Sequence, residues 1–266
     1  MAPLVSIIIP TKNEAKNIAH CLKSIKNQNY KNIEIIVVDN FSKDKTIDIA
    51  RKFTSNCYRH GNERSTQRNF GAKKSKGQYL LFIDADMELT PNCLAASVKE
   101  IQKENKIIAF IEQSKGNNFW EKSVSFERNL YQKEKVLAGA RLFSKVLFKK
   151  IGGFGEDLIA GEDWDITIRA QRAGAKLLFS KYDIIHQENI PNLSKFFQKK
   201  AYYSKNILLY AKKHPLEFKK QSAFANRLKF YLKNWPYFLK DPFHAAGFIF
   251  LKTKVWYDWK TLKNEG

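Results

Sequence analysis

Cysteine is scarce in this 266-residue chain, which has only Cys21, Cys57 and Cys93. An odd number with no C-x-x-C spacing excludes a disulfide framework and offers no structural zinc site, so a reducing compartment is the natural setting. Long apolar runs are missing too. No stretch approaches the roughly 18 consecutive apolar residues of a membrane-spanning helix. Met1–Ile9 lacks a basic leader and a small-residue cleavage site, so it reads as a first strand and not a signal peptide. Acids are few: 26 against 47 Lys and Arg, a net charge of +21. Such an imbalance points to a polyanionic partner, whether nucleic acid, an anionic membrane surface or a phosphorylated substrate. Glycine is absent where a dinucleotide loop would need it, since no G-x-G-x-x-G follows the first strand and "PTKNEAKN" holds none.

What is present is a globular composition, 44% hydrophobic, with enough chain to bury a full core. Short β-rich runs alternate with helical patterns. Val5–Ile9 precedes a helix with Ile18, Leu22 and Ile25 on one face, and Ile33–Val38 precedes a helix near Thr46–Phe53. A third strand, Tyr79–Ile83, comes before a helix from Asn92 to about Gln102, for which Thr90 and Pro91 supply an N-cap and a first-turn proline. The alternation predicts an α/β, Rossmann-like, mostly parallel sheet flanked by helices. The third strand runs directly into Asp84-Ala85-Asp86. Carboxylates at a strand's carboxyl end sit where open α/β sheets bind ligands, and such a pair either holds a divalent cation or favours the next helix's positive end.

Four stretches occur in order: "VSIIIPTKNEAKNIAHCLKSI", "IEIIVVDNFSKDKTIDIA", "RSTQRNFGAKKSKGQYLLFIDADM" and "GGFGEDLIAGEDWDITIRAQRAG". Together they closely resemble a family 2 glycosyltransferase of the GT-A fold, over about Leu4 to His186. The resemblance implies that Pro10, Thr11, Asn13 and Glu14 line the base and ribose of a nucleotide. It implies that Asp39 accepts from the base ring, a task suited to an acceptor-only carboxylate, and that Arg68 lies near the diphosphate. Asp84 and Asp86 match the family's D-x-D, with Ala85 a small spacer. Asp86 would bind Mn²⁺ or Mg²⁺, Asp84 would contact the ribose or a metal-bound water, and His186 would supply a further metal ligand. Asp163 would be the catalytic base and Glu162 would orient the acceptor or tune that base. Gly152-Gly153-Phe154-Gly155 resembles a mobile loop on the acceptor side. No separate nucleophile stands out, so the reaction implied is an inverting, single displacement.

The last part of the chain differs in kind. From Gln187 to Gly266 there are 16 basic and 5 acidic residues, and 18 of the 36 aromatics. A GT-A catalytic domain over 1–190 and a basic, aromatic-rich helical tail over 191–266, broken at Pro215, Pro236 and Pro242, are therefore expected. Cations interleaved with Trp, Tyr and Phe suit a water–lipid boundary, and the alternative is a helical appendage packed on the core. The expected partners are a nucleotide-sugar donor, a glycan or polyprenyl-linked acceptor and an anionic membrane surface, in a cytoplasmic protein peripheral at the inner face of the cell membrane. Two other readings are a nucleic-acid binder that stacks single strands on the tail, and a sugar nucleotidyltransferase. No nucleic-acid module accompanies the first, and the second wants a glycine-rich first turn.

Overall fold

The computed structural model describes residues 2–102, 105–190 and 192–264, except for the side chains of 224 and 259–264. In chain order the elements are β1 (Val5–Thr11), α1 (Ile18–Lys26), β2 (Ile33–Asp39), α2 (Thr46–Arg51), β3 (Cys57–Arg59), α3 (Arg64–Lys74), β4 (Tyr79–Phe82), β5 (Met87–Leu89), α4 (Cys93–Ile101), β6 (Lys106–Ala109), β7 (Glu112–Lys115), α5 (Phe119–Leu130), β8 (Ala140–Ser144), α6 (Lys145–Lys150), α7 (Glu162–Arg172), β9 (Lys176–Phe179) and β10 (Ile184–Gln187), then α8 (Leu193–Lys213), α9 (Pro215–Ser222), α10 (Phe224–Lys233), α11 (Trp235–Lys240) and α12 (Pro242–Asn264).

Two compact units result: Met1–Glu112 with Ala138–His186, and Gln113–Leu137 with Gln187–Gly266. This departs from a boundary at residue 190, because Gln113–Leu137 joins the C-terminal segment. The cause is α5, whose Val124 and Phe126 pack with Leu251 and Phe248 of α12. Pro191 and residues 265–266 lie outside the described residues.

The first unit is built on a seven-stranded sheet in the order β3-β2-β1-β4-β8-β6-β9. The pairs β3-β2, β2-β1, β1-β4 and β6-β9 are parallel, and β8 runs against both neighbours. Every residue of β1 is buried, as expected of a parallel strand covered on both faces. On α1 the face carrying Ile18, Leu22 and Ile25 is buried as the periodicity requires, joined by Cys21. α3 comes especially close to β1, since a Cβ at Gly71 would meet Ile8 Cγ2 at 2.5 Å. One capping expectation fails. Asn92, in the left-handed region at φ 64°, precedes α4 without a side-chain cap, while the Thr90 hydroxyl donates to the Asp183 carbonyl.

From β1 the chain steps to β2 and β3 on one side, then to β4 on the other, so strand order reverses between β1 and β4. The crevice outside the carboxyl ends of those two strands is where such sheets take ligands. Asp84 follows β4 there, and its carbonyl accepts from the Met87 N–H at 3.0 Å, closing a tight turn through Ala85 and Asp86. β5 leaves that turn and pairs antiparallel with β10, with Met87 opposite His186. Register thus brings Asp86 and His186 together across 100 residues of chain.

The second unit is mainly helical among its described residues, with part of β7, the end of β10 and connecting loops. α5 starts in a full capping box, Asn118 with Glu121, and the Glu121 side chain also accepts from the Ile190 N–H at 3.1 Å. Gly247 lets α12 lie close, for a Cβ there would meet Ser123 Oγ at 2.2 Å. Pro215 and Pro242 open helices, where a missing N–H costs nothing.

Candidate active site

The loops after β1 and β2 brace each other. Asn13, in the left-handed region at φ 55°, donates its N–H to Ser42 Oγ and accepts from the Lys43 N–H. The Glu14 N–H donates to Thr46 Oγ1 at 2.7 Å, and the Glu14 carboxylate accepts from Asn17 Nδ2. Pro10 and Thr11 are buried at the end of β1, with Thr11 level with Asp39 in the sheet. Asp39 is fully buried, and its carboxylate accepts from the N–H and hydroxyl of Ser42. Thr11 Oγ1 is buried and has no hydrogen-bond partner among the described residues. Gln67, which sequence reading missed, reaches from α3 to donate to the carbonyls of Thr11 and Val38. It ties together the two strand ends that would form the nucleotide site.

Charge is concentrated beside that edge. Arg68 is 0% exposed, and its guanidinium donates to Asp84 Oδ1 at 2.8 Å, Asp163 Oδ1 at 2.9 Å and Glu162 Oε1 at 3.3 Å. Arg68, for which the resemblance implies a place near a diphosphate, thus sits among three carboxylates. A guanidinium buried this deeply is neutralised by carboxylates in the same chain, and its Cζ also lies 5.0 Å from the Phe154 ring. Asp84 belongs to the same network. Its second oxygen meets Arg141 at 3.3 Å, so both oxygens face arginines. Burial alone would raise the Asp84 carboxyl, but Arg68, Arg141 and Arg64 hold it far below the usual carboxylate range.

Arg141 continues the chain of charges. Its guanidinium meets Glu112 Oε1 at 2.9 Å, and Glu112 Oε2 lies 3.8 Å from His186 Nδ1. His186 Nε2 is 3.2 Å from Asp86 Oδ2. Neither Arg141 nor Glu112 carried a sequence signal; the antiparallel insertion of β8 between β4 and β6 places Arg141, and Glu112 opens β7 in the small sheet β5-β10-β7. Among the described residues no group of three or more His, Cys, Asp or Glu is arranged to hold a metal ion. Asp86 and His186 nevertheless present a carboxylate and an imidazole at hydrogen-bond distance, a donor set that suits Mn²⁺.

Glu162 and Asp163 begin α7. The Glu162 side chain is 5% exposed and is also met by Arg64 at 3.1 Å. Its burial and then the Asp163 charge push its carboxyl above the usual range, against the pull of Arg64 and Arg68. The Asp163 side chain is 32% exposed, the most open of the carboxylates on Arg68. Its backbone is fixed by a relay in which the Ala140 N–H donates to Thr167 Oγ1, and that hydroxyl donates to the Asp163 carbonyl. Gly139 lies so close that a Cβ would meet Asp163 Cβ at 2.8 Å. The glycine loop, expected to be mobile, is tied down: Asn69 exchanges two hydrogen bonds with the Phe154 backbone, and Arg169 donates to the Gly153 carbonyl. Gly152 and Gly153 have φ of 81° and 72°, which glycine alone adopts freely.

Comparison with known proteins converges on one family. The sequence profile of Glycosyl transferase family 2 matches residues 6–151. An uncharacterized glycosyltransferase of Rickettsia typhi is 32% identical over 65% of this chain and 60% of its own length. Glycosyltransferase AglE of Haloferax volcanii is 33% identical over 69% of this chain and 66% of its own length. The chain thus spans slightly under two thirds of these relatives. Among solved structures, mannosyltransferase PcManGT of Pyrobaculum calidifontis, in complex with GDP-Man and Mn²⁺, covers 93% of this chain and 74% of its own at TM-score 0.61 and 19% identity. S. aureus TarS 1–349 in complex with UDP covers 77% and 65% at TM-score 0.53 and 21% identity. These likenesses show the fold, the GT-A arrangement of a mostly parallel sheet between helices. With its profile spanning more than half the sequence and its strand order and strand-end carboxylates in place, the chain belongs to glycosyl transferase family 2.

Proposed function

We propose that the chain transfers a sugar from a nucleoside-diphosphate donor to a lipid-linked or cell-surface glycan acceptor, with inversion and with Asp163 as general base. The exposure of Asp163 carries this reading: of the carboxylates gathered on Arg68 it has the most open side chain, while Arg68 and the Thr167 relay fix its direction. A positioned carboxylate need only take the acceptor hydroxyl's proton as that oxygen attacks the anomeric carbon. Glu162 stays behind it and, with Asp84, balances the Arg68 charge. Donor binding falls to the braced loops after β1 and β2, where Thr11 Oγ1 offers an unused hydroxyl and Asp39 an acceptor beside Asn13 and Glu14. The GDP-Man and UDP complexes of PcManGT and TarS support that donor class.

Asp86 and His186 would hold Mn²⁺ or Mg²⁺, and such an ion supplies charge neutralisation for the departing diphosphate. The basic, aromatic second unit would keep the protein peripheral on an anionic membrane, where lipid-linked acceptors are found. Among the described residues no helix is long and apolar enough to cross one. The ordered carboxylates favour catalysis over a nucleic-acid scaffold.

The test is thermal unfolding against UDP, GDP, CDP and ADP, each with and without Mn²⁺. A ligand at about a hundred times its Kd adds about 2.7 kcal/mol to folded-state stability. One nucleoside diphosphate should raise the midpoint in the presence of metal, and Asp86→Ala should abolish the rise. Asp163→Asn should keep that rise and lower kcat about 10²–10⁴-fold. The reading fails if no nucleotide shifts the midpoint with metal, or if Asp163→Asn transfers sugar at the normal rate.

A further inference from the structure

α10 and α11 follow one another with only Asn234 between them. Their inward side chains are aromatic: Tyr231, Tyr237 and Phe238 pack with Phe126, Ala245 and Phe248. Their outward side chains include Leu228 (44% exposed), Leu232 (63%), Trp235 (58%) and Leu239 (66%). Leu228 and Leu232 in α10, and Trp235 and Leu239 in α11, are each four residues apart, the spacing that keeps two side chains on one helical face. Inward and outward faces are thus both apolar, although among the described residues the inward one is packed and the outward one is exposed. Keeping a row of large apolar side chains in water is unfavourable in proportion to its exposed area, so the row is better explained by something that covers it.

The charges beside the row identify the cover. Lys229, Lys233 and Lys240 are exposed and each follows a member of the row in sequence. From Ala223 to Lys240 there are four basic residues and no Asp or Glu. A second copy of the chain would bring two acid-free basic surfaces together. A nucleic acid would satisfy the lysines and leave the leucines exposed. An anionic leaflet satisfies both, because lysine stems lie along apolar surface while their ammonium groups reach phosphates, and an indole suits the boundary.

We propose that the Leu228–Leu232–Trp235–Leu239 row is the membrane contact of this chain, with Lys229, Lys233 and Lys240 on anionic headgroups. The proposal rests on the membrane reading given above and assigns it to one face of α10 and α11. Pro236 helps, since its missing N–H breaks the helix at Asn234 and lets the two halves adjust to a surface.

Co-sedimentation of the full chain with phosphatidylglycerol–phosphatidylcholine vesicles tests it. Wild type should bind these vesicles, bind phosphatidylcholine alone weakly, and weaken as salt rises. Leu232→Ser with Leu239→Ser should cut binding about tenfold or more, each removing a side chain that buries on the membrane. Both positions are exposed, so the unfolding midpoint should hold. Trp235 gives a second readout independent of the double variant: vesicles should blue-shift the tryptophan emission of wild type more than that of Trp235→Phe. Wild-type binding with an undiminished double variant and no Trp235 signal would overturn the assignment while leaving the membrane reading intact. Failure of wild type to bind any anionic vesicle would overturn both, as would preferential binding of a single-stranded oligonucleotide. A wild-type dimer in sedimentation that the double variant abolishes would make the row a self-association surface and also sink the proposal.

Discussion

The two units break opposite rules of burial. The first takes charge inside: Arg68 and Glu162 are buried, and Arg141 and Asp84 nearly so, joined through Glu112 and His186 to Asp86. The second leaves apolar mass outside: Leu208, Leu216, Leu232, Trp235, Leu239, Phe243 and Trp256 are all more than half exposed. α8 runs 21 residues and buries only Tyr210. Burying a charge is costly unless it is paired, so a molecule that does it repeatedly in one place has a use for a fixed field there. Exposing large apolar side chains repeatedly in one place marks a surface meant for another phase or partner. The contrast agrees with the proposal that the first unit carries the reaction and the second the membrane contact.

The sharpest way to break the comparison is Arg68→Met. Removing the cation leaves Asp84, Asp163 and Glu162 close together without their shared partner, and breaking a buried pair costs about 3–5 kcal/mol. In a domain of this size that lowers the melting midpoint by roughly 6–20 °C, measured by calorimetry. A change under about 1 kcal/mol would show that the charges inside the first unit do not depend on one another.

Acid titration sharpens the same point. The folded Asp84 carboxyl lies far below the unfolded value of about 3.9, so its stabilisation is complete above that pH and is lost as pH falls toward the folded value. Glu162 has the opposite sign: raised in the fold, it favours folding while protonated, and that contribution is lost as pH rises above about 4.3. Plotted against pH, the melting midpoint of wild type should drop steeply below about 4, and that of Asp84→Asn should drop less. Parallel curves would mean that the arginines do not hold Asp84 ionised.

Much of the first unit was legible because its strands are short apolar runs that end in polar turns. β1, β2 and β4 were visible that way, as was the buried face of α1. The pairing of Asp86 with His186 could be anticipated only from family resemblance, since it depends on a β5–β10 register that no local pattern encodes. The depth of Arg68 was not legible because "STQRNFG" shows a cation and not its burial; packing of α3 on β1 at Gly71 decides that. Arg141 and Glu112 were invisible, for the insertion of β8 into the large sheet and the addition of β7 to the small one are tertiary events. In the second unit, composition revealed helices and charge but not that Gln113–Leu137 would join them. That segment lies far from the tail in sequence and meets it through α5–α12 packing and through contacts such as Gln221 to the Val136 carbonyl and Tyr131 to Tyr231.

A smaller effect is expected from Gly139→Ala. The new methyl carbon would start 2.8 Å from Asp163 Cβ, and one of the two must move. Asp163 is held by Arg68 and by its carbonyl's bond to Thr167, so its carboxylate shifts by a fraction of an ångström without being removed. Misplacement of a reacting group on that scale lowers kcat by about tenfold, less than deleting the base, while KM for the donor stays near normal. An unchanged kcat would argue that Asp163 does not need this placement.

The smallest effect completes the contrast. Lys254 and Asp258 form an i, i+4 pair on α12 with side chains 47% and 32% exposed. Water screens both charges and both side chains lose rotamer freedom to meet, so Lys254→Gln should change stability by only about 0.3–0.5 kcal/mol. The same removal of one cation from an ion pair therefore spans nearly a tenfold range of energy between Lys254 and Arg68, with burial as the variable. Should Lys254→Gln cost as much as Arg68→Met, burial would not be what separates the two units, and the field assigned to the first would need another origin.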